Sequence, residues 1–111
     1  RVLFRSVKAA VEKVRRGIPH TMKIEVEVEE ESQVREALAA GADIIMLDNM
    51  SVEMMEKMVK LINKQAIVEA SGNVTAERIR AIAATGVDVI SVGGLTHSVQ
   101  ALDISLKLAP Q

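Results

Sequence analysis

Four short runs rich in aliphatic and β-branched residues recur along the chain at intervals that match one strand-plus-helix unit: Lys23 to Val28, Ala42 to Asp48, Ala66 to Ser71 and Val87 to Gly93. Runs this apolar and this short suit parallel strands buried between layers. After each run, apolar residues return at helical spacing: Val34, Ala37 and Leu38; then Met54, Met55, Met58, Val59 and Ile62; then Ile79, Ile82 and Ala83; and finally Val99, Leu102 and Leu106. A further amphipathic stretch from Ser6 to Arg16, with Val7, Ala10, Val11 and Val14 on one face, precedes the first strand. The expected α/β fold is therefore a helix followed by four βα units with parallel strands. Right-handed crossovers allow an open sheet or an arc of a TIM-like α/β barrel. Polar residues gather at the C-terminal ends of the strands, where such barrels hold their chemistry, and this favours the partial barrel.

The punctuation agrees. Ser51 and Thr75 stand where helix N-caps belong, and Gly17, Gly41 and Gly86 fall where helices end. Ala39 to Ile45 (AAGADII) and Ala84 to Ile90 (ATGVDVI) resemble each other, each closing a helix and opening a strand.

At 111 residues the chain holds one domain at most. A hydrophobic fraction of 49% with 26% charged residues argues against disorder. The longest apolar runs are too short to span a bilayer. Lysine plus arginine, at 14, nearly balance 15 acidic residues, so no long-range field draws nucleic acid or an anionic membrane, and any anion site must be local. The absence of tryptophan and tyrosine removes the usual platforms for stacking bases. The absence of cysteine excludes disulfides and thiolate chemistry within the chain and fits a cytoplasmic protein.

Four places carry candidate chemistry. Glu25 and Glu27 alternate with Ile24, Val26 and Val28, so both carboxylates share one strand face. That face lines a barrel interior, where it needs water, cations or substrate, or belongs to an exposed edge strand. Asp48 and Asn49 end the apolar run Ile44 to Leu47, suited either to a metal or substrate hydroxyl or to a simple turn. Ser71, Gly72 and Asn73 follow the third strand, and Gly93 and Gly94 the fourth; glycines there let backbone N–H groups approach an anion beside a helix N-terminus. His97 opens the last helix and either meets that anion or is structural. Glu29, Glu30 and Glu31 read as a solvated acidic helix start, His20 as exposed, and the methionines of the third helix as core or interface filler.

The strings Lys23 to Glu29 (KIEVEVE), Gly41 to Met50 (GADIIMLDNM), Glu69 to Thr75 (EASGNVT), Gly86 to Gly93 (GVDVISVG) and Leu95 to Ser98 (LTHS) together resemble the quinolinate phosphoribosyltransferase family, also called nicotinate-nucleotide pyrophosphorylase (carboxylating). The resemblance runs from Ser6 to the C-terminus, residues 6–111, as the C-terminal portion of that family's barrel domain; Arg1 to Arg5 look like a non-family leader or boundary. It implies a transferase that moves the phosphoribosyl group of phosphoribosyl pyrophosphate to quinolinate with loss of CO₂, giving nicotinate mononucleotide for NAD biosynthesis. It further implies Mg²⁺ as cofactor, held by Glu27 and Asp48, which also serve catalysis. The backbone around Ser71, Gly72, Asn73, Val92, Gly93 and Gly94, with His97, is implied to bind the 5′-phosphate. Family members form homodimers or larger homo-oligomers and have a further N-terminal domain, so the chain alone is expected to lack turnover. The alternative is a non-catalytic phosphate-binding half-barrel.

Overall fold

The structure is a computed structural model that describes residues 7–92, 95–96 and 104–107. Elements follow in the order α1 (Val7–Gly17), β1 (Ile24–Val28), α2 (Glu31–Ala40), β2 (Ile44–Asp48), α3 (Val52–Ile62), β3 (Ile67–Ser71), α4 (Ala76–Ala84), β4 (Val89–Val92), β5 (Leu95–Thr96) and β6 (Ile104–Lys107). The expected first helix and four strands are all present, each strand starting one or two residues later than its apolar run. The six strands form one sheet in the order β5-β4-β3-β2-β1-β6. β1 to β4 are mutually parallel neighbours, the arrangement of a barrel arc.

One face of that sheet makes the core. Ile24, Val26, Val28, Ile45, Leu47, Val68 and Ala70 are buried against Val11, Val34, Ala37, Met55, Met58, Ile62 and Ile82 from the helices. Burial of a side chain of this size stabilises the fold by about 1.5–3 kcal/mol. Met55 and Met58 are fully buried, so the methionines of α3 are core.

The helix ends follow local chemistry. Ser51 and Thr75 cap α3 and α4 by accepting from Met54 N and Arg78 N. Gly41 and Gly86 adopt positive φ, whereas Gly17 is the last residue of α1 and has none. A C-terminal glycine is thus not required at Gly17 to reverse the chain. Glu31 is not merely solvated, since it bridges Arg35 and Lys57 between α2 and α3. Those two cations, Lys57 foremost, hold its carboxyl below the ordinary range.

The repeated segments have a shared structural task. Asp43 Oδ2 accepts from Ile24 N at 2.8 Å and Asp88 Oδ2 from Val68 N at 2.9 Å, so each aspartate ties the start of its own strand to a neighbouring strand. Arg15 of α1 adds a 3.0 Å ion pair to Asp43.

Three expectations change. β1 is not an edge strand, because β2 and β6 flank it. Residues 104–107, expected on a helix through Leu106, form β6 parallel to β1. The sequence Ile104-Ser105-Leu106-Lys107 alternates as readily as it spirals, and the open edge of β1 supplies the hydrogen-bonding partners that decide the matter. Finally, Leu95–Thr96 pairs antiparallel with β4 rather than leading directly into a helix. Arg1 to Arg5, Gly93, Gly94, His97, Val99 and Leu102 lie outside the described residues.

Candidate active site

Parallel register decides which side chains meet. Glu27 is level with Met46, and Met46 with Glu69, while Asp48 is level with Ser71. Neighbours in register point to the same side of a sheet and side chains alternate along each strand. Glu25, Glu27, Asp48, Glu69, Ser71 and Ser91 therefore all belong to the face opposite the helices. A strand separation of about 4.8 Å and a rise of about 3.3 Å per residue bring the Cα atoms of Glu27 and Asp48 to roughly 8 Å. Both lie near the C-terminal ends of their strands, so they look out of one mouth of the arc.

The loop after β3 comes to that same mouth. Asn49 N donates to Ser71 O at 2.9 Å, which ties the start of the β2–α3 loop to the last residue of β3, where the β3–α4 loop begins. Gly72 has φ +79°, and a Cβ there would stand 2.8 Å from Asp48 Oδ1 and 3.0 Å from Asn49 N. Any other residue would have to displace the aspartate. Asn73 follows with φ 50° and Asn49 has φ 55°. The Ser71-Gly72-Asn73 turn then enters α4, whose first N–H groups lack intrahelical acceptors. A glycine-bearing loop at a helix start beside two carboxylates can hold a phosphate and the sugar attached to it. The backbone near Val92 ends the adjacent strand at the same end of the sheet; Gly93, Gly94 and His97, expected with it, are outside the described residues.

Deeper in the face, Glu25 and Glu69 are each only 1% exposed. Ser91 Oγ donates to Glu69 Oε2, and Glu25 Oε1 is buried without a hydrogen-bond partner. Burial first, then the hydrogen bond and charge of Glu69, and last the charge of Glu27, push the Glu25 carboxyl up to about 8. Its neutral form thus prevails at neutral pH. This reverses the simple picture of Glu25 and Glu27 as an equivalent acidic pair: Glu25 is a buried acid in the floor, and the half-buried Glu27 stands nearer the mouth.

Glu69, Ser91 and Arg78 were not singled out from the sequence. Glu69 had a signal, a lone carboxylate inside an apolar run, and register sets it two strands from Glu27, level with it through Met46. Arg78 had none, because its partners, the carbonyls of Asn73 and Met50, are backbone atoms in separate loops.

Comparison with known proteins gives one family. Residues 1–107, the first five included, match the model described as quinolinate phosphoribosyl transferase, C-terminal domain. The chain is 48% identical over 101 residues to a protein of Bacillus subtilis described as a probable nicotinate-nucleotide pyrophosphorylase (carboxylating), covering 91% of this chain and 35% of that one. It is 43% identical over 109 residues to a Methanocaldococcus jannaschii protein of the same description, covering 92% and 38%. Among solved structures, the nicotinate-nucleotide pyrophosphorylase of Francisella tularensis superimposes with a TM-score of 0.75 at 40% identity, covering 87% of this chain and 34% of that one. NadC from Streptococcus pyogenes gives 0.75 at 43% identity, covering 88% and 34%. The chain thus spans little more than a third of the length of these relatives.

Proposed function

The chain belongs to the quinolinate phosphoribosyltransferase family, matching its C-terminal domain, and from that premise we propose that it supplies the ribose- and phosphate-facing side of an enzyme that transfers the phosphoribosyl group of phosphoribosyl pyrophosphate to quinolinate. The products are nicotinate mononucleotide, CO₂ and pyrophosphate. The observation that carries this reading is the packing of Asp48 directly over Gly72, with Glu27 on the same sheet face.

The chemistry asks for that juxtaposition. As pyrophosphate leaves, positive charge builds on the sugar, and fixed carboxylates near it stabilise that charge more than they stabilise the ground state. Glu27 and Asp48 fill this role and accept hydrogen bonds from the ribose hydroxyls. The 5′-phosphate rests on the backbone of Ser71, Gly72 and Asn73, with Val92, Gly93, Gly94 and His97 contributing from the next strand end. Anchoring the far end of the sugar there fixes the reacting carbon relative to the carboxylates.

Mg²⁺ suits the donor set. Among the described residues no cluster of three or more His, Cys, Asp or Glu groups offers an all-protein cage, and Mg²⁺ is the cation that makes do with one or two carboxylates plus water and phosphate oxygens. Glu27 and Asp48 would hold it. When bound it offsets the charge of the departing pyrophosphate.

The full-length protein that carries this chain works in the cytoplasm as a homodimer or larger homo-oligomer. Among the described residues no helix is long and apolar enough to cross a membrane.

The test is an assay of the full-length protein that carries this chain, with quinolinate, phosphoribosyl pyrophosphate and Mg²⁺. Asp48→Asn should lower kcat roughly 10²-fold, the scale of losing one partner of the transition state, while affinity for nicotinate mononucleotide changes far less. Wild-type protein that binds the mononucleotide without forming it would support a non-catalytic phosphate-binding half-barrel instead.

A further inference from the structure

Arg78 is the third residue of α4 and is half-buried. Its guanidinium donates from Nη1 to Asn73 O, and from Nη2 to Met50 O at 3.3 Å. Those carbonyls sit in two different loops, one leaving β3 and the other leaving β2. A planar guanidinium with two forward donors can hold both at once; a lysine ammonium at the end of a shorter reach serves such a fork poorly.

The two loops need holding. Asn49, Gly72 and Asn73 are all left-handed, and a non-glycine residue there costs of order 1 kcal/mol that surrounding contacts must offset. Helix capping does not explain Arg78, because Ser51 and Thr75 already cap α3 and α4 with their own side chains. In a trans peptide the carbonyl and the following N–H point in opposite directions. Binding Asn73 O therefore also fixes where the Val74 N–H points, and binding Met50 O does the same for Ser51 N–H.

We propose that Arg78 is a positioning residue that locks the β3–α4 loop to the β2–α3 loop, setting the spacing between Asp48 and the backbone that receives phosphate. The spacing matters because of the reaction proposed above, and on that reading the inference rests.

The experiment uses the full-length protein with Arg78→Met, which keeps the bulk of the stem but has no donors, and with Arg78→Lys. Three quantities are read: kcat, affinity for nicotinate mononucleotide, and hydrogen exchange at the Asn49 amide, whose bond to Ser71 O ties the β2–α3 loop to the end of β3. Arg78→Met should exchange at Asn49 about tenfold faster and lose kcat by about tenfold or more, while mononucleotide affinity falls less than about threefold, as expected for lost alignment rather than lost binding. Millimolar guanidinium should restore part of kcat in Arg78→Met and none in wild type. Unchanged exchange at Asn49, or wild-type kcat in Arg78→Met, would overturn the proposal. Should Arg78→Met fail to fold, Arg78→Lys decides: intermediate kcat supports the lock, and wild-type behaviour in both readouts overturns it. If the wild-type protein makes no nicotinate mononucleotide, the functional reading fails on its own, and exchange at Asn49 alone judges whether Arg78 ties the loops.

Discussion

At Gly72 a single missing methyl group lets the β3–α4 loop and Asp48 share one small space. Gly72→Ala must fit a Cβ 2.8 Å from Asp48 Oδ1 while keeping φ near +79°. We expect a loss of about 1–3 kcal/mol in unfolding free energy and a fall in activity beyond what stability explains, since Asp48 has to move. Urea denaturation paired with steady-state kinetics checks both. Glu25 gives the residue-scale pH dependence. Its folded carboxyl titrates near 8, above the ordinary glutamate range, so between those values the folded state binds the extra proton. Stability from this group is whole in acid and is lost as pH rises toward and through 8, at a slope of at most about 1.4 kcal/mol per pH unit. Glu25→Gln, neutral at every pH, should flatten that slope in denaturation curves taken across the range; an unchanged slope would remove Glu25 as its source.

Elements were legible wherever periodicity and caps agreed. Ser51, Thr75, Gly41 and Gly86 act over a few residues, so the end of α2, the start of α3 and both ends of α4 could be placed from local chemistry alone. Even the resemblance between the two AxGxD segments carried a structural meaning: Asp43 and Asp88 each tie the entry of one strand to its neighbour. Asp88→Ala should cost about 1–3 kcal/mol, because Val68 N is left without its carboxylate partner, and Asp43→Ala somewhat more, because Arg15 also loses its ion pair. Thermal melts of the two variants make the comparison. The last strands were not legible. Residues 104–107 are too few to distinguish a strand from a helical turn by period, and their identity comes from the edge of β1, distant in sequence.

For the molecule as a whole, the described side chains on the face opposite the helices include Glu25, Glu27, Asp48 and Glu69, with no lysine or arginine among the residues of β1 to β4. A dicarboxylate and a pyrophosphate cannot be held by such a surface without cations from elsewhere. The purified 111-residue chain is therefore expected to show no quinolinate-dependent release of pyrophosphate, even if it binds nicotinate mononucleotide weakly. Carboxylating turnover by that chain would refute the division of the site proposed here.

Local pattern was enough to determine the alternation of strands and helices, the helix-facing core residues, and the acidic and glycine-bearing positions at strand ends, because each depends on neighbours a few residues away. Tertiary structure alone decided that Glu25 is a neutral acid beside Glu69, that Asp48 rests on Gly72, that Arg78 reaches two loops, and that β1 lies inside the sheet. Those facts depend on strand register and on desolvation, which arise only when segments far apart in the chain are brought together.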